Sequence, residues 1–124
     1  MGAVAGPNII VLMLTAMEHD IQARMNTKMD TQMLMSMRSI FFGSQKAQLY
    51  NQLQNTPENA QGPILAKIKY WEQQEKKIAQ MEKVLEMEMK RLEAQLKMVQ
   101  QRKEAAEKML DKNIQGAFTY GQGR

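Results

Sequence analysis

From Pro63 to Gly116 the chain runs PILAKIKYWEQQEKKIAQMEKVLEMEMKRLEAQLKMVQQRKEAAEKMLDKNIQG, with neither Pro nor Gly between those ends. Glu, Lys, Gln, Met, Leu and Ala dominate it, all good helix formers, so the stretch reads as one long helix over about 63–115. Counting in sevens from Ile64 gives Trp71, Ile78, Leu85, Leu92, Val99, Ala106 and Asn113. A second column holds Ile68, Glu75, Glu82, Met89, Leu96, Lys103, Leu110 and Ala117. Two such columns form a heptad seam, the packing edge of a coiled coil. The first is apolar in all but its last member; Glu75, Glu82 and Lys103 interrupt the second.

The solvated side confirms this frame. Lys69, Lys76, Lys83, Lys90 and Lys97 recur at one heptad position and Glu72, Glu86, Glu93 and Glu107 at another, which sets Glu72 with Lys76, Glu86 with Lys90 and Glu93 with Lys97. Pairs four residues apart add only about 0.2–0.5 kcal/mol each, so their use is to mark the wet face. Tyr70, Met81, Val84, Met98 and Met109 widen the apolar face beyond a two-stranded seam. About 52 helical residues at 1.5 Å each would make a rod of roughly 75–80 Å, too long for one chain of this size to cover.

Upstream, residues 54–62 are the one strong break. Thr56 can cap a short turn with Pro57 in its first position, and Gly62-Pro63 restarts the helix. A connection this short makes its two helices antiparallel neighbours. Helix 1 is expected over about 8–53, after a tail of residues 1–7 in which Pro7 suits a first turn. Its apolar residues step by four, Met13, Met17, Ile21, Met25, Met29, Met33, Met37 and Phe41, so the stripe should wind around the helix. Met33 to Phe42 is apolar on nearly all sides and expects burial, while Gly43-Ser44 is a place where helix 1 can break. Residues 117–124 form a C-terminal tail that an antiparallel hairpin brings near the apolar N-terminus.

Bulk properties fit a helical assembly better than a globule. Of the 124 residues 44% are hydrophobic but only 6% aromatic, and 13 are Met. The net charge of +4, from 17 basic and 13 acidic residues, is spread thinly and demands no anionic partner. Without Cys there is no disulfide or thiolate site, and the redox compartment stays open. The run Ile9 to Leu14 has no basic residue before it and no small-residue cleavage pattern after it, which makes a poor signal peptide. It is also too short to span a membrane. The expectation is a cytoplasmic chain, with leaderless export left open.

Chemistry finds little purchase. His19 stands between Glu18 and Asp20 with no second ligand one turn on, so no metal site is expected. The carboxylates of helix 2 alternate with Lys on an open face, where nothing separates their pKa values for acid–base work. The Lys ladder is neutralised by its Glu neighbours, and no phosphate loop or groove-reading motif accompanies it, so nucleic acid is not an expected partner. No enzymatic activity and no cofactor are expected. The polar seam residues Glu75, Glu82 and Lys103 can set register against Arg24, Lys28, Asp30 or Arg38 of helix 1. A turn centred near residue 58 would place Glu82 beside Arg38.

In outline, a long helical hairpin with apolar paired termini resembles the small subunits of bacterial secretion needles and filaments and, more closely in helix length, the two-helix stalk proteins of flagellar and type III export machines. The resemblance lies in architecture, carries no residue roles, and implies a secretion-associated setting. The reading is an all-α protein: a single helical-hairpin domain over 1–124, non-enzymatic and structural, that self-associates as a homo-oligomer. Candidate interaction residues are Ile9, Ile10, Leu12 and Leu14, then Met33, Met37, Phe41 and Phe42, and along helix 2 Trp71, Ile78, Leu85, Leu92, Leu96, Val99 and Leu110. The alternatives are a coiled-coil adaptor or export-stalk module that binds another helical protein, and a peripheral membrane protein that uses its N-terminal run, which would want a more basic polar face than Glu18 and Asp20 give.

Overall fold

The computed structural model describes residues 2–122, and the exposure of Gly6 and of residues 8–116. It is all-α, a helical hairpin: α1 spans Gly2–Gln54 and α2 spans Gly62–Gln122, joined by a 3₁₀ turn at Glu58–Ala60. No strand occurs among the described residues.

Both helices run past their expected ends. α1 starts at Gly2, so residues 2–7 are helical rather than a tail, and Pro7 lies inside the helix at the cost of one ladder bond. α2 passes through Gly116 to Gln122, where a tail was expected; the side chains of Phe118 and Tyr120 lie outside the described residues. α1 is also unbroken at Gly43. No glycine among the described residues has a positive φ, and the roughly 1 kcal/mol that an interior Gly costs a helix is outweighed by the packing of Phe42 and Leu49 on either side.

The loop closes by side-chain bonds rather than by the expected cap. Thr56 Oγ1 donates back to the Gln52 carbonyl at 2.5 Å, finishing α1 instead of starting the turn. Gln61 Nε2 donates to the carbonyls of Leu53 at 3.2 Å and Thr56 at 3.1 Å. Together these bonds satisfy carbonyls that a helix C-terminus leaves without partners. Pro63 sits in the first turn of α2, where its missing N–H is harmless.

The chain divides into two compact units, residues 1–26 with 89–124 and residues 27–88. In the first, Leu14 and Ile21 of α1 are buried against Leu92, Val99 and Ala106 of α2, flanked by Val11, Met25 and Leu96. In the second, Met35 is buried against Ile78 and Leu85, with Phe42 packed on them. The column counted in sevens on α2 therefore faces α1: Ile78, Leu85, Leu92, Val99 and Ala106 are buried and Ile64 and Trp71 half-buried. At 25 cal/mol per Å² of apolar area removed from water, each fully buried Leu or Ile stabilises the packing by about 1.5–3 kcal/mol.

Candidate functional site

On α1 the inward column also repeats in sevens, Leu14, Ile21, Lys28, Met35, Phe42 and Leu49, each buried or half-buried. Its companion column is Val11, Glu18, Met25, Gln32, Ser39, Lys46 and Leu53, all half-buried. The expected four-step Met stripe crosses this seam instead of forming it. Ile21 and Met25 point inward, whereas Met13, Met17, Met29, Met33, Met37 and Phe41 are exposed. Met33 to Phe42, expected to be buried, is buried only at Met35 and half-buried at Ser39 and Phe42.

Three polar residues of this inner seam are matched across the hairpin, and the exposed Tyr50 beside it adds a fourth cross-helix contact. Lys28 Nζ meets Glu88 Oε2 at 2.6 Å, Lys46 Nζ meets Glu75 Oε1 at 3.0 Å, and Glu18 Oε2 meets Lys103 Nζ at 3.7 Å. Tyr50 donates its hydroxyl to Glu72 Oε1 at 3.3 Å. Glu75 and Lys103 thus find partners other than those foreseen, and no ion pair joins Glu82 to Arg38 among the described residues. The reason is register: Lys46 and Glu18 pair with residues about five positions further along α2 than a turn centred on residue 58 would give, whereas Lys28–Glu88 keeps that spacing. The hydrogen bond from Lys46 to Glu75 raises the Lys46 pKa above its ordinary 10.5, against an opposing effect of burial, with the negative charge of Glu75 adding to the rise.

With polar residues turned inward, the outer face of α1 is left apolar in two places. Near the N-terminus Ile9, Ile10, Leu12 and Met13 are exposed. In the unit of residues 27–88, Met33, Leu34, Met37, Ile40 and Phe41 are exposed, Ile40 by 73% and Met37 by 59%. Phe41 and Phe42 stack around Trp71, with ring centroids 5.8 Å and 5.4 Å from it, so Phe41 is held in place while half its surface stays open. On the α2 edge of the same unit, a groove lined by Met35, Met81, Val84 and Leu85 has Lys77, Gln80 and Glu88 at its rim.

The sequence-derived interaction residues therefore separate by location. Leu14, Ile78, Leu85, Leu92 and Val99 are buried inside the hairpin, and Phe42, Trp71, Leu96 and Leu110 are half-buried. Ile9, Ile10, Leu12, Met33, Met37 and Phe41 remain open to a second molecule. Leu34 and Ile40 belong with this last group. Counting α1 in sevens from Leu14 gives the inward column and leaves both of them outside it.

His19 is exposed, and no group of three or more His, Cys, Asp or Glu able to hold a metal occurs among the described residues. No helix among them is long and apolar enough to cross a membrane. Compared with known protein families, characterised proteins and solved structures, the chain matches none.

Proposed function

We propose that this chain is a non-enzymatic structural or assembly protein that self-associates through the outer apolar faces of its long Met-rich helices. The observation that carries the reading is the inverted distribution on α1. Lys28, Gln32, Ser39 and Lys46 face the partner helix while Met33, Leu34, Met37, Ile40 and Phe41 face outward. A helix that places charges in its own seam and large apolar side chains outside is arranged for neighbours on both sides. Contiguous exposed apolar patches of a few hundred Å² mark interaction surfaces.

The test is absolute mass by light scattering on a sizing column, with circular dichroism on the same samples. Wild-type protein should run as a discrete oligomer or as filaments. Phe41→Asp and Leu12→Asp, both at exposed positions, should shift it to smaller species with helicity kept. Variants that retain the wild-type mass would place the assembly surface elsewhere. The groove between Met35 and Val84 supports a second reading, a hairpin that receives a helix of another protein; a monomeric wild type would favour it over self-assembly.

A further inference from the structure

The outer face of α1 in the unit of residues 27–88 has an internal two-fold pattern. At 100° per residue, Met37 marks its centre line, with Met33 and Phe41 lying about 40° to either side and Leu34 and Ile40 about 60° to either side. One step further out along the same line, seven residues from Met37 in each direction, stand Asp30 and Ser44, both exposed. Read forwards or backwards from Met37, the face presents the same order: polar, apolar, apolar, Met37, apolar, apolar, polar.

A face of this kind is what an isologous contact requires, since each residue must meet its symmetry mate's counterpart. Resting on the self-association reading above, we infer that two copies pack α1 against α1 antiparallel, on a two-fold axis passing beside Met37. Met37 then meets its own copy, Met33 meets Phe41, Leu34 meets Ile40, and Asp30 meets Ser44, whose hydroxyl can donate to the carboxylate.

Charge selects this direction over the alternative. A parallel, in-register pair would set Asp30 against Asp30 across a desolvated contact, and like charges so placed disfavour the pairing. The antiparallel pair has no like-charge contact along the centre line. Area selects a second copy over a crystal-like touch. The five apolar side chains are each more than half exposed and together offer roughly 600 Å² per copy, or about 1,200 Å² for the pair, the lower edge of a specific interface. Phe41, fixed against Trp71 at 5.8 Å, supplies a rigid aromatic anchor, the kind of residue on which binding energy concentrates.

The natural chain has no Cys, so single cysteines can report the geometry directly. Asp30→Cys and Ser44→Cys lie outside the apolar patch and leave it intact; they are made separately in the full chain, and the light-scattering mass of each is compared with wild type. Treated with a short bis-maleimide, each variant alone should give little covalent dimer, while an equal mixture should give a several-fold excess of the 30–44 cross-linked pair. Met37→Cys should cross-link to itself. Self-linking of Ser44→Cys, which keeps Asp30, equal to that of the mixture would overturn the antiparallel arrangement in favour of a parallel one. Absence of 30–44 and 37–37 products in a sample that light scattering shows to be oligomeric would overturn this contact while leaving self-association standing. A monomeric wild type would overturn both.

Discussion

Lys28 occupies the inward column of α1, where Leu14, Ile21, Met35 and Leu49 are buried, and it answers to Glu88 at 2.6 Å. Replacing it with Leu sets two effects against each other. The ion pair is partly solvated, with side chains 35% and 40% exposed, and pairs of that kind contribute about 0–1 kcal/mol. Full burial of a Leu contributes about 1.5–3 kcal/mol, and roughly two thirds of that is available at this depth, less what the Lys stem already covers. The apolar effect wins by about 1 kcal/mol, and Glu88 stays close enough to water to lose its partner cheaply. Lys28→Leu should therefore raise the melting temperature by about 4 °C for a chain of this length. The assay is thermal unfolding followed by circular dichroism at one fixed protein concentration, because association would itself shift the midpoint. Asn51→Leu, at an exposed position of the same helix, serves as control and should change stability by less than about 0.5 kcal/mol. Equal gains in both variants, or a loss in Lys28→Leu, would refute the assigned seam.

Gly43→Ala should stabilise by up to about 1 kcal/mol, since α1 is helical there and an added Cβ meets nothing within 4 Å; a loss on thermal melting would mean that another chain comes close at this point. The pH dependence follows from Lys46. Its folded-state pKa is raised, so the stability that its pair with Glu75 adds, about 1 kcal/mol at this partial exposure, is fully present below pH 10.5. It is lost as pH rises through the higher folded value. The difference in midpoint between wild type and Glu75→Gln should be constant from neutral pH to about 10 and then narrow; a gap that widens above that point would contradict the assignment.

How much of the fold could be read in advance differs between the helices, for physical reasons. On α2 the Lys and Glu columns confine the apolar residues to one side, so counting in sevens from Ile64 reached Ile78, Leu85, Leu92, Val99 and Ala106 directly, and the second column supplied the buried Ile68. α1 is apolar on several sides at once, and its strongest visual repeat, Met at every fourth position, is the wrong one. The seam that folds is marked less by apolar residues than by Lys28, Gln32, Ser39 and Lys46, which look like surface until their partners on α2 are known. Gly43 looked like a break because local propensity speaks against it; the tertiary packing around it decides otherwise. The register missed for a simpler cause: one turn centre was assumed for every pair, whereas Lys46–Glu75 and Glu18–Lys103 lie about five residues further along α2 than that centre gives and Lys28–Glu88 does not. Of the candidate interaction residues, the sequence could name apolar positions but not divide those spent within the hairpin from those left over.

The charged residues in the seam have a further consequence. A heptad column is periodic, so one helix can slide past the other by seven residues and still match apolar to apolar. After such a slide toward either end, Glu18 would face Leu110 or Leu96 in place of Lys103, and Lys28 would face Gln95 or Met81 in place of Glu88. Lys46 would meet either Glu82 or Ile68 in place of Glu75. Each misstep breaks at least two of the three pairs and sets their charges against apolar or neutral side chains, a cost that is modest at any one partly solvated site and accumulates over several. The three pairs thus act as tick marks on a ruler: each adds little stability, but together they single out one alignment among those the hydrophobic repeat would accept.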